Sequence, residues 1–238
     1  MRSTQDFSRS RVETKFRLTA DDVPSVLRQI PAHEREDYAV STLYFDRPDG
    51  SLARHALEHP FHCTKVRARQ YLGSTWVWFE VKSRDGRWTR KSRLRLRRSD
   101  ASRLISGAGL PERAALFVEG DDERDARAYF DEARCGDLVP VGAVAAFRRS
   151  FLLSQDLVRI TLDLDIAYHR PSASGPGMRG PLLRRESEPV LELKHLGRMP
   201  RSCLDLVSRL RPSNHSKFRT LVQSLSASDG EREHVDRL

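Results

Sequence analysis

The chain has 238 residues, 38% of them hydrophobic and 32% charged, which is too apolar for disorder and too polar for a bundle of membrane helices. Forty-two Lys and Arg against 33 Asp and Glu leave a net charge of +9, an excess that points to a polyanionic partner such as nucleic acid, anionic lipid or a phosphate-rich small molecule. The longest nearly apolar run, Leu138 to Phe147, is broken by Pro140 and Gly142 and falls short of the ~20 residues of a spanning helix, while the polar start MRSTQDFSRS lacks a signal-peptide core, so a cytoplasmic location is expected.

After that polar start, RVETKFRL alternates with a period of two: Arg11, Glu13 and Lys15 share one face, and Val12, Phe16 and Leu18 the other. Thr19 is placed to cap a helix over ADDVPSVLRQI, whose Pro24 is tolerated near its start. A strand is expected at YAVSTLYFD. TKVRARQYL puts Lys65, Arg67 and Arg69 on one side; TWVWFEVKS sets Trp76, Trp78, Glu80 and Lys82 in line; and TRKSRLRLRR does the same for Lys91, Arg93, Arg95 and Arg97. Asp85-Gly86 between the last two is a favoured two-residue turn.

Helical patterns are expected over roughly Ser99 to Arg134, with Gly136 as a stop. Strands follow at VGAVAAFRRSFLL and LVRITLDLDIAY, the latter with Arg159, Thr161, Asp163 and Asp165 against Val158, Ile160, Leu162 and Leu164. Arg170 to Ser187, rich in Ser, Pro and Gly, reads as a loop. PVLELKHL puts Glu192 and Lys194 on one strand face. SCLDLVSRL and SKFRTLVQSL read as short helices, and the tail after Ser226 as frayed. Cys63, Cys135 and Cys203 are odd in number and lack CxxC spacing, so buried thiols are expected rather than disulfides or zinc.

One strand with a charged face is ordinarily solvated. Here six strands carry charges at corresponding positions, chiefly Arg and Lys, whereas a wet face typically mixes in Thr, Ser and Gln and balances its signs. Turning the charged faces inward leaves apolar faces outside for helices to cover, which predicts an α+β fold: a closed antiparallel barrel of about eight strands around a basic tunnel. Two unit charges ~6 Å apart repel by roughly 3 kcal/mol at an effective dielectric of 20, so such a lumen needs anions and interleaved carboxylates. A linear polyphosphate suits it, since Arg forks grip phosphate bidentately and Lys supplies point charges. Lumenal carboxylates are then free to hold Mg2+ or Mn2+ against the phosphates.

RVETKF, YAVSTLYFD, KVRARQY, WFEVKSRDGRWTRKSR, AFRRSF, VRITLDLDI, VLELK and HSKF stand in the order found in the VTC domain. That is the polyphosphate polymerase domain of the vacuolar transporter chaperone complex. The chain also resembles its wider relatives, the triphosphate tunnel enzymes that include CYTH-type triphosphatases. The resemblance covers residues 11–225, leaving 1–10 as an extension and 226–238 as a flexible tail. It implies catalytic or transferred-phosphate contacts from Lys15, Arg67, Arg69, Lys82, Arg149 and Lys217. Further phosphate contacts are implied for Lys65, Lys91, Arg93, Arg159, Lys194 and Ser216. Glu192 resembles the metal-coordinating glutamate, and Glu13 and Glu80 are further candidates for Mn2+ or Mg2+. Phe147 replaces the family's Tyr in YxRxxF, and His215 stands where Phe or Leu often precedes the SK pair. The implied substrates are ATP, inorganic triphosphate or polyphosphate. No motif for a specific nucleic acid is present, and any membrane contact is expected through a separate partner. The implied reaction is transfer of the terminal phosphoryl of ATP to a growing chain. Hydrolysis of a triphosphate and simple polyphosphate binding are the alternatives. Trp76, Trp78 and Trp88 suit either strand packing or stacking on a nucleobase, packing being the commoner role.

Overall fold

The computed structural model describes residues 11–30, 34–86, 88–106, 116–120, 123–153, 158–172, 176–196 and 198–235. Strand β1 (Arg11–Arg17) leads through helix α1 (Asp22–Gln29) to the long strand β2 (Glu34–Asp46). Helix α2 (Ser51–Glu58) precedes a meander of β3 (His62–Tyr71), β4 (Trp76–Asp85) and β5 (Trp88–Arg97). Next come α3 (Arg98–Ile105), the short β6 (Leu116–Gly120), α4 (Glu123–Cys135), β7 (Val139–Leu153), β8 (Val158–Pro171), β9 (Arg179–Arg185) and β10 (Val190–Leu196). Helices α5 (Arg201–Val207) and α6 (Lys217–Val235) complete the described chain. Among the described residues no helix is long and apolar enough to cross a membrane.

All pairings are antiparallel, in the order β1-β10-β8-β7-β2-β3-β4-β5-β6 with β9 attached to β8, so the sheet has 10 strands. The expected closed barrel of about eight strands is corrected here. Among the described residues β1 bonds only β10 as a strand, and β6 only β5, so the ladder does not close. The free edge of β1 is occupied instead: Phe16 bridges Pro212, and the Ser213 amide donates to the Lys15 carbonyl at 2.8 Å. The sheet is nonetheless rolled, because Lys82 Nζ on β4 lies 3.2 Å from Glu13 on β1, although five strands separate β4 from β1 in the sheet order.

The period-two pattern decides which face is buried by helices. Outside β2 to β5, Leu43, Phe45, Val66, Phe79, Val81, Leu94 and Leu96 pack with Ala126, Phe130 and Ala133 of α4. Outside β1, β10, β8 and β7, Phe16, Phe151, Ile160, Leu162, Leu191 and Leu193 pack with Val26 of α1 and Cys203 and Leu206 of α5. Helix α6 differs, since Phe218 and Leu221 pack with Val40, Tyr44, Val144, Ile166 and Tyr168. Register places Val40, Tyr44 and Val144 on the concave face, so α6 fills one part of the hollow. A bulge makes this possible. Register between β7 and β8 slips beyond Ala145, with Asp165 at φ 50, and the inward positions change from Arg159, Thr161 and Asp163 to Ile166 and Tyr168. Gly142 admits the helix as well: a Cβ there would stand 2.8 Å from Leu221 Cδ1.

Other sequence expectations are adjusted. The Ser99–Arg134 helical group contains β6 between α3 and α4, and the supposed loop at 170–187 contains β9, whose unalternating exposure gives no strand signature. Helix α2 is not among the expected elements, although Leu52, Ala53 and Ala56 recur at helical spacing and are buried. It is fixed by Asp46, whose carboxylate accepts from the Leu52 and Ala53 amides, both at 2.9 Å. Helix α6 runs past Ser226 to Val235, tied down where Arg170 bonds Asp229 (2.5 Å) and Ser228 (3.2 Å). Thr19 and Asp22 exchange hydrogen bonds at the start of α1, while Asp85-Gly86 lies at the β4–β5 connection with Gly86 at φ 58. Cys63 and Cys203 are buried thiols, but Cys135 is exposed.

Candidate active site

Strand register gathers the charged positions on the concave face. Lys15 opposes Glu192, which opposes Thr161; Glu13 opposes Lys194, which opposes Arg159. Across the hollow, Arg67, Glu80 and Arg93 form one row and Lys65, Lys82 and Lys91 the next. Asp163 faces Arg148.

Three anionic centres organise these cations. Glu80 has a fully buried side chain: Arg67 Nε is at 2.7 Å, Lys91 and Arg93 at 2.9 Å and Arg69 at 3.8 Å. Burial pushes its carboxyl up, but Lys91, Arg67, Arg69 and Arg93 together hold it well below the usual range. Asp163 accepts from Arg148 at 2.5 and 2.7 Å and from Lys217 at 2.6 Å. Against burial, those two cations keep it ionised. Glu13 and Glu192 form the third centre, on adjacent strands. Glu13 reaches Lys15 at 2.9 Å and Lys82 at 3.2 Å, and Glu192 pairs with Lys194 and lies 4.0 Å from Lys15. Burial and the repulsion of Glu192 push the Glu13 carboxyl up, yet Lys82, Lys15 and Lys194 prevail and hold it low. Glu192 is held low by the same lysines and Arg148, against burial.

The start of α6 closes the set. Lys65 donates to Ser216 Oγ at 3.0 Å, and burial lowers the Lys65 ammonium to about 8. His215 lies 3.5 Å from both Arg17 and the Tyr168 hydroxyl. Burial, with Lys217, Arg17 and Lys15 nearby, lowers the imidazole to about 3, so it is neutral at physiological pH. Arg159 sits at an exposed strand position and donates to Ser150 at 3.2 Å.

Lys15, Lys65, Arg67, Arg69, Lys82, Lys91, Arg93, Arg159, Lys194, Ser216 and Lys217 thus converge with Glu13, Glu80 and Glu192. Arg149 does not. It opposes Asp37 and Leu162 on the outer face, 3.6 Å from the Asp37 carboxylate, and its neighbour Arg148 points inward instead. The spacing of YxRxxF carries the signal that finds this: Arg148 stands three residues before Phe151, which puts Ala146 rather than Phe147 at the Tyr position, and Arg149 shares its face with Phe147 and Phe151. Asp163 is the other lumenal residue underweighted by sequence reasoning, although it alternates in step with Arg159 and Thr161.

The donor set distinguishes the metal candidates. Glu80 does not fit, since its side chain is closed to solvent and four cations lie within 4.0 Å of its carboxylate, whereas Glu13 and Glu192 keep some exposure and have two such cations each. Glu13 and Glu192 fit a hard divalent cation: two adjacent lumenal carboxylates, with no cluster of three or more His, Cys, Asp or Glu among the described residues. This is the small protein share expected where phosphate oxygens and water complete the shell of Mg2+ or Mn2+.

The VTC domain family model matches residues 10–226. The chain belongs to the VTC domain family. Solved structures share the fold of this VTC domain at low identity. A Hippeastrum protein, described as a putative adenylyl cyclase with a dominant triphosphatase activity, aligns with TM-score 0.55 and 16% identity over 90% of this chain and 95% of that one. A putative adenylate cyclase from Bacillus halodurans aligns with TM-score 0.55 and 13% identity over 89% and 98%. No curated protein matches this VTC domain.

Proposed function

We propose that this VTC domain is a metal-dependent phosphotransferase that passes the terminal phosphoryl of ATP to a growing polyphosphate chain. The observation that carries the reading is the Glu13–Glu192 pair: carboxylates that only offset cations can stand apart, as Glu80 and Asp163 do, whereas Glu13 and Glu192 stand on adjacent strands where each repels the other. In this reading Arg67, Arg69, Arg93 and Arg148 grip bridging and terminal phosphate oxygens, and Lys15, Lys82, Lys194 and Lys217 surround the phosphoryl in transit. Glu13 and Glu192 hold Mg2+ or Mn2+, which when bound neutralises charge between phosphate groups. Catalysis is positioning and electrostatic stabilisation, with no covalent protein intermediate.

The state of the carboxylates favours a phosphate acceptor over water. An oxygen at the end of a polyphosphate is already anionic: it bonds the terminal phosphorus while the bond to the ADP oxygen breaks, and no proton need be moved. Water must lose one, and Glu13, Glu80, Asp163 and Glu192, held ionised by cations, are poor proton acceptors, so a hydrolase would have to draw on a lysine lowered by burial, such as Lys65 at about 8. Hydrolysis in the same lumen is the second reading, supported by the triphosphatase activity attributed to the Hippeastrum protein. Glu192→Gln tests the carrying observation. Metal-dependent turnover should fall by orders of magnitude while calorimetry still detects triphosphate binding. Full metal-dependent turnover in that variant would place the cation elsewhere.

A further inference from the structure

One end of the hollow is aromatic. Along β4 the concave-face positions run Trp76, Trp78, Glu80, Lys82, so indoles precede the charged rows. Trp76 opposes Arg97 on β5, and Trp78 lies between Arg69 and Arg95. The Arg95 guanidinium lies 4.4 Å from the centre of the Trp76 ring, and that of Arg93 lies 5.5 Å from Trp78. On β3, Tyr71 follows the Gln70–Val77 pair and therefore comes level with Trp76; its ring meets Tyr38 edge-on at 5.3 Å. All four aromatic residues keep part of their surface open to solvent.

We propose that this aromatic end is a nucleobase subsite, with the base stacked on Trp76 beside Tyr71, and that it fixes the direction in which a nucleoside triphosphate enters. The inference rests on the phosphotransferase reading above. Flat, half-open rings at the end of a phosphate-binding hollow offer what any base can use, a π-face, and a guanidinium on an indole adds to such a stack. The spacing agrees. At ~3.3 Å per strand residue, Trp78 stands ~13 Å and Trp76 ~20 Å along β4 from Lys82. A base stacked on Trp76 stands ~13 Å from the row of Arg67, Glu80 and Arg93, about the span of an extended nucleoside triphosphate, so the row of Arg69 and Arg95 meets the inner phosphates and the row of Arg67 and Arg93 the terminal phosphoryl, next to Lys82. Lys65, in the row of Lys82 and bonded to Ser216, is then left to meet the acceptor chain.

The test compares ATP with ribose 5-triphosphate, which has the same phosphates and charge but no base, and with inorganic triphosphate, by calorimetry on the whole chain. ATP should bind about tenfold more tightly than ribose 5-triphosphate, the scale of one base stacked on an aromatic ring. Trp76→Ala should bring that ratio close to one, and Trp76→Phe, which keeps a ring, should restore most of it. Equal affinities in the unmodified protein, or a ratio untouched by Trp76→Ala, would overturn the subsite while inorganic triphosphate binding still upheld the lumen. If inorganic triphosphate also failed to bind, the phosphotransferase reading would fall and the subsite with it.

Discussion

Replacing Glu80 by Gln keeps the shape of the side chain and removes the charge that gathers Arg67, Arg69, Lys91 and Arg93. With the carboxylate fully buried, the variant leaves four cations facing a neutral amide where water does not reach. Removing one partner of a buried ion pair costs about 3–5 kcal/mol, because the remaining charge is uncompensated. For a chain of this size each kcal/mol moves Tm by roughly 2–4 °C, so an apparent drop of about 6–20 °C is expected without ligand. A bound triphosphate supplies the missing negative charge. The stabilisation by triphosphate should therefore be larger in Glu80→Gln than in the unmodified protein, and the two Tm values should converge at saturation. Scanning calorimetry over a triphosphate titration measures both effects. An unchanged Tm without ligand would refute the claim that Glu80 neutralises the lumen. A loss identical with and without triphosphate would make Glu80 a packing residue only.

Two further outcomes follow from the lumen. Arg148→Ala should weaken triphosphate binding, whereas Arg149→Ala, on the outer face beside Asp37, should leave it near the unmodified value; the reverse order in a binding titration would overturn the register-based assignment. Burial lowers the Lys65 ammonium to about 8, so its positive charge is present below that pH and lost above it: triphosphate affinity should decline as pH rises through about 8, and Lys65→Arg should carry the decline to higher pH. A pH profile identical in the two proteins would remove Lys65 from the phosphate path.

Much of the site was legible because the strands alternate so strictly. The charged members of KVRARQY, WFEVKS and RKSRLRLR fall on one face by period alone, and their common sign marks that face as a lumen. What period could not supply was the choice between Arg148 and Arg149, which needs the face of Phe151 as a reference, and the bulge at Asp165, which turns β8 from charged to apolar so that α6 can pack inside. Closure was overstated because alternation reports faces and not edges. Nothing in RVETKF tells that the outer edge of β1 meets Pro212 and Ser213 rather than another strand. The role of Glu80 was also hidden, since a strand glutamate looks alike as a metal ligand and as the hub of four cations until the distances are known.

The most direct measurement incubates the purified chain with ATP and Mn2+ and separates the products by chain length. Long polyphosphate accompanied by ADP is the predicted result. Free phosphate alone would make the lumen a hydrolase, and the absence of any product under conditions where triphosphate binds would reduce it to a polyanion-binding module.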